Sequence, residues 1–316
     1  MTYRLEKMGQ RKYSGLTVLN PKGDRHFNGV VKCHNIELVK PFSWRKPRRI
    51  FVNSMSDTFH KDVPFEFVDK IFAVMALNPQ HTFQVLTKRP DRMAEYLSRN
   101  RCDFVWDEAM RRTSDVVSGD WPLPNVWLGT SCEDQQRADE RIPHLLKCPA
   151  AIRFLSLEPL LGPITLPTDN LRGYSVHEAH AYHCEANHGG ECDHKNCPVP
   201  EQEQEPSIDW IIVGGESGGE ARPCAVEWVR DIVKQCAAAS VPCFVKQMGK
   251  SLDMRFDEWV NDWMLLTDAK KFTLHKPGAN RGIWCGVDHK GGDMSEWPAD
   301  LKVRQFPDTK LVEAKL

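Results

Sequence analysis

The sequence predicts an α/β protein, a partial (β/α) barrel of parallel strands with a His/Cys-rich insertion and an irregular C-terminal lobe. Three observations carry this. Six short apolar runs, at 49–55, 82–87, 125–131, 152–157, 209–214 and 242–248, each end in polar or charged residues. Helix-length patterns separate most of them, and a β-prone run, polar tip and helix is the grammar of one βα unit. The rhythm breaks at 169–207 and is gone from 251 onward. The expected organisation is an N-terminal helix and excursion over 1–48, a barrel over 49–250 carrying the insertion, and a lobe over 251–316.

In chain order, Tyr3, Leu5 and Met8 fall at roughly helical spacing, which predicts a helix over 1–13. It has no preceding strand, so the barrel opens one element late. Asn20-Pro21-Lys22-Gly23 is a turn signal. The stretches 29–33 and 36–39 read as short strands. After the first barrel strand, Pro64 opens a helix to about residue 77, with Phe67, Ile71, Val74 and Met75 on one face. A helix follows Pro90, and another lies in 101–124. Asp134 is the expected N-cap of the next, and Pro143 should kink or interrupt it. A last barrel helix spans 225–239. In the lobe, Trp259, Trp263, Trp284 and Trp297 sit among several glycines.

Composition bounds the function. With 316 residues, 41% hydrophobic and 27% charged, the chain can bury a large core. A net charge of −1 excludes a global field for nucleic acid or anionic membrane, although 45–49, Arg-Lys-Pro-Arg-Arg, is a local basic patch or a solvated strand entry. No apolar run approaches the ~20 residues of a membrane span, so no membrane partner is expected and the cytoplasm is the expected location. The eleven cysteines then read as thiols or ligands rather than a disulfide framework.

In barrels of βα units, ligands bind where the strand ends meet. Asp57, Lys88, Glu158, Glu216 and Lys246 lie at such ends and are the candidate catalytic residues. Arg89, Glu133 and Gln247 share that placement. Asn53, Ser54, Ser56, Thr87, Ser131, Gly214, Gly215 and Ser217 are the candidate cofactor-binding residues. Charges gathered from several strand ends are costly unless paired or used on a ligand, so a salt-bridged rim is the competing reading. The Gly-Gly-Glu-Ser tip at 214–217 suits close backbone approach by an anion or an amino-acid moiety, or is a plain tight turn. It lacks G-x-G-x-x-G and a P-loop lysine. Lys88 and Lys246 are either nucleophilic lysines or charge partners for Glu158 or Glu216. In the insertion, Cys184, His188, Cys192, His194 and Cys197 lie within fourteen residues, a ligand set suited to structural zinc.

Long motifs carry a family resemblance: FVNSMSDTFH, HTFQVLTKRP, NVWLGTSCEDQQRADERIPHLL, FLSLEPLLGPI, DWIIVGGESGGEARP and FVKQMGK. Over about residues 3–307 the chain resembles a phage and bacterial family of unknown function, often labelled three-Cys-motif or radical-SAM-like. The resemblance implies a partial barrel related to radical S-adenosylmethionine enzymes, with S-adenosylmethionine lying across the strand tips. It also implies an iron–sulfur cluster held by an N-terminal loop, C-x(6–7)-C-x2-C-Y, ahead of a helix resembling residues 3–10. This chain begins at that helix and contains no C-x2-C. The cluster is therefore expected only in a full-length form, and this chain reads as truncated or as a member without a cluster. The family's Gly-Gly-Glu-like tip lies on an early strand, so its amino-group role falls by position nearer Asn53 to Asp57 than to Gly214-Gly215-Glu216. The substrate is an unknown small molecule or nucleic acid. The alternative is a non-redox phage or mobile-element accessory protein that binds nucleic acid or a partner protein through its basic segment and zinc loop.

Overall fold

A computed structural model describes residues 6–23, 25–99, 101–113, 119–167, 171, 206–218, 220–255, 259, 261, 272–275, 279–285 and 290–308. The insertion's metal candidates, Cys184, His188, Cys192, His194 and Cys197, lie outside these residues, as does most of 169–207.

The chain enters through a hairpin, β1 (Thr17–Leu19) and β2 (Arg25–Phe27), closed by the 20–23 turn. Gly23 is left-handed there at φ 84°, and Asn20 Oδ1 accepts from Lys22 N–H. The six apolar runs form β3 (Arg49–Val52), β4 (Thr82–Thr87), β5 (Val126–Ser131), β6 (Ile152–Leu157), β7 (Trp210–Gly214) and β9 (Cys243–Gln247). They pair in parallel, in the order β3-β4-β5-β6-β7-β9, as one curled half-barrel sheet. From β3 to β6, and from β7 to β9, helices return the chain to the same edge and set each strand beside its predecessor.

The strand period of two sorts side chains between the faces. One set, including Phe83, Val85, Leu128, Leu155, Ile211, Val213 and Val245, joins the main core under the helices. Those helices are α2 (Phe65–Ala76), α3 (Pro90–Ser98), α4 (Cys102–Met110), α5 (Gln135–Leu146) and α6 (Val226–Ala238). The alternate set, Trp127, Ile152, Phe154, Trp210 and Ile212, forms a second cluster on the inner face. Trp210 is its centre, with ring centroids of Trp127 and Phe154 each at 5.8 Å and Phe306 at 5.4 Å. Tilted and edge-on rings at such spacing add about 0.5–1.5 kcal/mol per pair beyond burial. The indole Nε1 donates to Gln305 O at 2.9 Å. Residues 303–305 lie along the outer edge of β9, with Val245 N–H donating to Val303 O and Gln305 N–H to Cys243 O. That edge is thereby covered.

Four local expectations are corrected. The predicted N-terminal helix is helical at Glu6–Lys7 but does not run on to residue 13: Gly9 takes φ 81°, and a separate 3-10 turn follows at Arg11–Tyr13. The stretches 29–33 and 36–39 form no strands; Asn35–Leu38 is instead a single helical turn, α1, whose four residues bury nothing. Pro143 does not interrupt α5. It sits on the exposed side of the helix. The C-terminal lobe is more regular than its composition suggests. β10 (Ser251–Arg255), β11 (Phe272–Leu274) and β12 (Arg281–Cys285) pair antiparallel, and β10 adds β8 (Cys224–Ala225) in parallel. Leu252 and Met254 are buried while Asp253 faces Arg281, a two-residue alternation hidden in the run Ser-Leu-Asp-Met-Arg.

Candidate functional site

The strand register places small polar residues on the inner face, above the aromatic cluster. Gly129 pairs with Phe154, and one row further along Ser131 pairs with Ser156. Ser156 in turn pairs with Ile212 on β7. The hydroxyls of Ser131 and Ser156 make no hydrogen bond to a described side chain or backbone group. Two residues after each serine comes a carboxylate, Glu133 and Glu158, so Ser-x-Glu recurs at two neighbouring strand ends. Gly129 has no side chain because the Phe154 ring occupies the space: a Cβ there would lie 2.5 Å from ring carbons.

Five ion pairs on four carboxylates ring this mouth. Lys88 contacts Glu133 Oε1, while Arg141 from α5 donates to Glu133 Oε2 at 2.9 Å and to Ser131 O at 2.7 Å. Burial pushes the Glu133 pKa up, but Lys88 and Arg141 outweigh it and hold the carboxyl below its ordinary range. Lys246 reaches both oxygens of Glu158, at 2.9 and 3.1 Å. Arg222 grips Glu216 through Nε at 2.8 Å and Nη2 at 3.1 Å, and its backbone N–H donates to the same carboxylate. Those bonds depress the Glu216 pKa. Glu216 follows the end of β7, two residues beyond Gly214, which places this pair at the same end of the sheet. Asp57 accepts from Phe59 N–H, Thr87 Oγ1, Lys88 N–H and Arg89 Nη1, at 2.7–3.1 Å. With four donors on two oxygens it is saturated, and it pins the 53–60 turn to the end of β4.

Thus Asp57, Thr87, Lys88, Ser131, Glu133, Glu158, Glu216 and Lys246 come from five successive strand ends and from β9 to one end of the sheet. Asn53 donates to Thr58 Oγ1 at 3.1 Å within its turn, and Ser54 and Ser56 are exposed beside it. Gly214 and Gly215 serve close backbone packing. A Cβ on Gly215 would lie 2.2 Å from Met248 O, and Gly215 N–H donates to Gln247 O at 3.0 Å. Ser217 lies exposed beyond them. Residue-by-residue reading passed over Arg141 and Ser156. The repeated Ser-x-Glu was the available signal for Ser156. Arg141 has no local signal, because it reaches Glu133 only through the orientation of α5, set by Asp134 capping Arg137 N–H at 2.8 Å.

An iron–sulfur cluster at this mouth needs three thiolates facing it. Cys132 and Cys224, the cysteines near strand tips, are buried, and burial pushes each thiol up to about 12. Cys132 packs in the core under the helices. Among the described residues, no group of three metal-ligating side chains converges. The described cysteines therefore do not fit such a cluster, and no step is derived through one.

Comparison with known families gives one match. Residues 1–283 fit the family described as "Protein of unknown function (DUF5131)". The chain belongs to that family. No curated protein matches it. Membership in DUF5131 accounts for the extent of the shared motifs and assigns no activity. Among the described residues, no helix of this DUF5131 protein is long and apolar enough to cross a membrane.

Proposed function

We propose that the chain is a radical-SAM-like half-barrel protein whose mouth binds S-adenosylmethionine. The observation that carries this is the Ser131–Ser156 pair: two adjacent hydroxyls without a partner among the described residues, on the inner face between Lys88–Glu133 on one side and Lys246–Glu158 on the other. Such a row suits a ligand bearing an ammonium and a carboxylate on one carbon. The ammonium exchanges for Lys88 or Lys246 at a glutamate, and the carboxylate takes the released lysine. The five cations Lys88, Arg89, Arg141, Arg222 and Lys246 face four carboxylates, Asp57, Glu133, Glu158 and Glu216, so one positive charge remains for a ligand carboxylate. The glutamates, serines and lysines bind and orient; Asp57 and Arg141 hold the 53–60 turn and Glu133 in place. The motif resemblance supports S-adenosylmethionine over other amino acids, and a phage or mobile-element origin. The substrate that would share the mouth is an unidentified small molecule or nucleic acid.

Titration calorimetry of the purified chain with S-adenosylmethionine tests the reading. Saturable binding is expected, weakened about fivefold by Ser156→Ala, the loss of one hydrogen bond of about 1 kcal/mol. Absence of saturation into the millimolar range, or binding indifferent to Ser156→Ala and Glu158→Gln together, overturns it.

A further inference from the structure

We infer that the groove beside β3 is a binding surface for single-stranded nucleic acid. The inference is independent of the ligand at the barrel mouth.

Charge is the first observation. Residues 6–52 contain eleven lysines and arginines against three acids, a net +8 in a chain whose total is −1. Such asymmetry is the electrostatic footprint of a polyanion site. Within it, Arg45, Lys46, Arg48 and Arg49 are all exposed, and none has a carboxylate partner among the described residues. Elsewhere most exposed cations of the half-barrel are paired, as Arg99 with Glu95 and Arg137 with Glu140 are. Lys12 and Lys40 share the single carboxylate of Glu37, which leaves a further positive charge.

Aromatic surface is the second. Phe27, Phe42 and Phe51 are 60%, 47% and 45% exposed, high values for phenylalanine. Arg48 lies over the Trp44 ring at 4.8 Å and Arg49 over Phe306 at 4.0 Å. Stacking fixes each guanidinium plane while its N–H edges stay free for phosphate oxygens.

Shape is the third. A cavity of about 550 Å³ runs along the free edge of β3, lined by Phe27, Trp44 and Phe51 and by Lys12, Lys32 and Lys40. It continues to Asn53 and Asp57, so its far end is the turn at the barrel mouth. Glu37 and Asp57 also line it, and the cations Arg45, Lys46, Arg48 and Arg49 are not part of its lining; Arg48 stacks on the lining residue Trp44 and Arg49 precedes the lining residue Ile50, so the cations flank the cavity. Aromatic faces flanked by cations are how single strands are held without sequence preference: phosphates on cations, bases stacked on rings. A concave groove admits a flexible strand, whereas reading a duplex requires an element that projects into its groove.

The test is fluorescence anisotropy of labelled oligothymidylate with the full chain across a salt series. Salt-sensitive binding is expected. The variant Arg45→Ala/Lys46→Ala/Arg48→Ala/Arg49→Ala should bind at least about tenfold more weakly at physiological salt. Its slope of log K against log salt should fall by about 3, at roughly 0.7 per phosphate contact on a single strand. Phe51→Ala should weaken binding about tenfold and leave that slope unchanged, since stacking carries no counterion. A control variant losing as many cations elsewhere, Arg99→Ala/Arg111→Ala/Arg137→Ala/Lys234→Ala, should bind as wild type; it also guards against loss of fold, followed by circular dichroism. Salt-insensitive or absent binding, equal losses in both quadruple variants, tighter binding to a duplex, or equal competition by polyglutamate or by phosphatidylserine vesicles at matched charge each overturn the inference.

Discussion

Lys246 reaches across the end of a neighbouring strand to Glu158. Its ammonium lies 2.9 and 3.1 Å from the two carboxylate oxygens, although β7 separates β9 from β6. Gly214 stands level with them on β7, following the Leu157–Val213 pair, and puts no side chain in the way. The Lys246 side chain is 54% exposed and that of Glu158 16%, so the carboxylate depends on its partner more than the lysine does. Lys246→Met should therefore destabilise the fold by about 1 kcal/mol, and Glu158→Gln in the same chain should recover most of it. Urea unfolding of the two singles and the double checks this. A coupling indistinguishable from zero would show that solvent screens the pair completely.

Glu133 makes a prediction about acid. Its folded pKa lies below the ordinary 4.5 because Lys88 and Arg141 outweigh burial. A depressed carboxyl contributes stability that is complete above the unfolded pKa and is lost as pH falls through the folded one. Wild type should lose this contribution below about pH 4.5, whereas Glu133→Gln lacks it at every pH. At pH 7 the variant should be less stable by about 1–3 kcal/mol, since Arg141 loses a buried partner. Melting curves from pH 7 to pH 3 should converge toward the acid end; parallel curves would refute the assignment.

Gly129 tests the inner face. A methyl at this position meets the Phe154 ring at 2.5 Å, and the ring is fully buried. Gly129→Ala should cost about 1–3 kcal/mol through overpacking. Adding Phe154→Leu should relieve part of that cost by giving the methyl room. A Gly129→Ala chain as stable as wild type would mean that the ring moves aside freely.

For the insertion, we propose structural zinc on Cys184, Cys192 and Cys197 with His188 or His194. Metal analysis of protein purified without chelator should give about one zinc per chain, with ligand distances of about 2.0–2.3 Å by X-ray absorption. Cys184→Ser/Cys192→Ser should remove it. Less than a tenth of an equivalent in wild type would dispose of the site.

Much of the barrel was legible. Each of the six apolar runs is a strand of the parallel sheet; the central strands β5, β6 and β7 are buried on both faces and so are almost continuously apolar until their ends turn polar. Helix starts were legible where a single residue dictates them: Asp134 accepts from Arg137 N–H, and Pro90 opens α3. The first 48 residues were read less well. Short strands there pair only with each other or not at all, and turns of four residues leave no period to detect.

What the sequence by itself determined was the set of strand ends and their polar residues, since periodicity and breakers are local properties. It could not determine which of those residues meet. Arg141 reaches Glu133 from a helix, Lys246 reaches Glu158 across β7, and Ser131 lies beside Ser156 through the register of two strands. Only the tertiary structure decided that Asp57 is saturated by four donors while those two hydroxyls have no partner among the described residues. The physical reason is that hydrogen-bond satisfaction is a property of the space around a group, filled here by segments up to 88 residues apart in the chain.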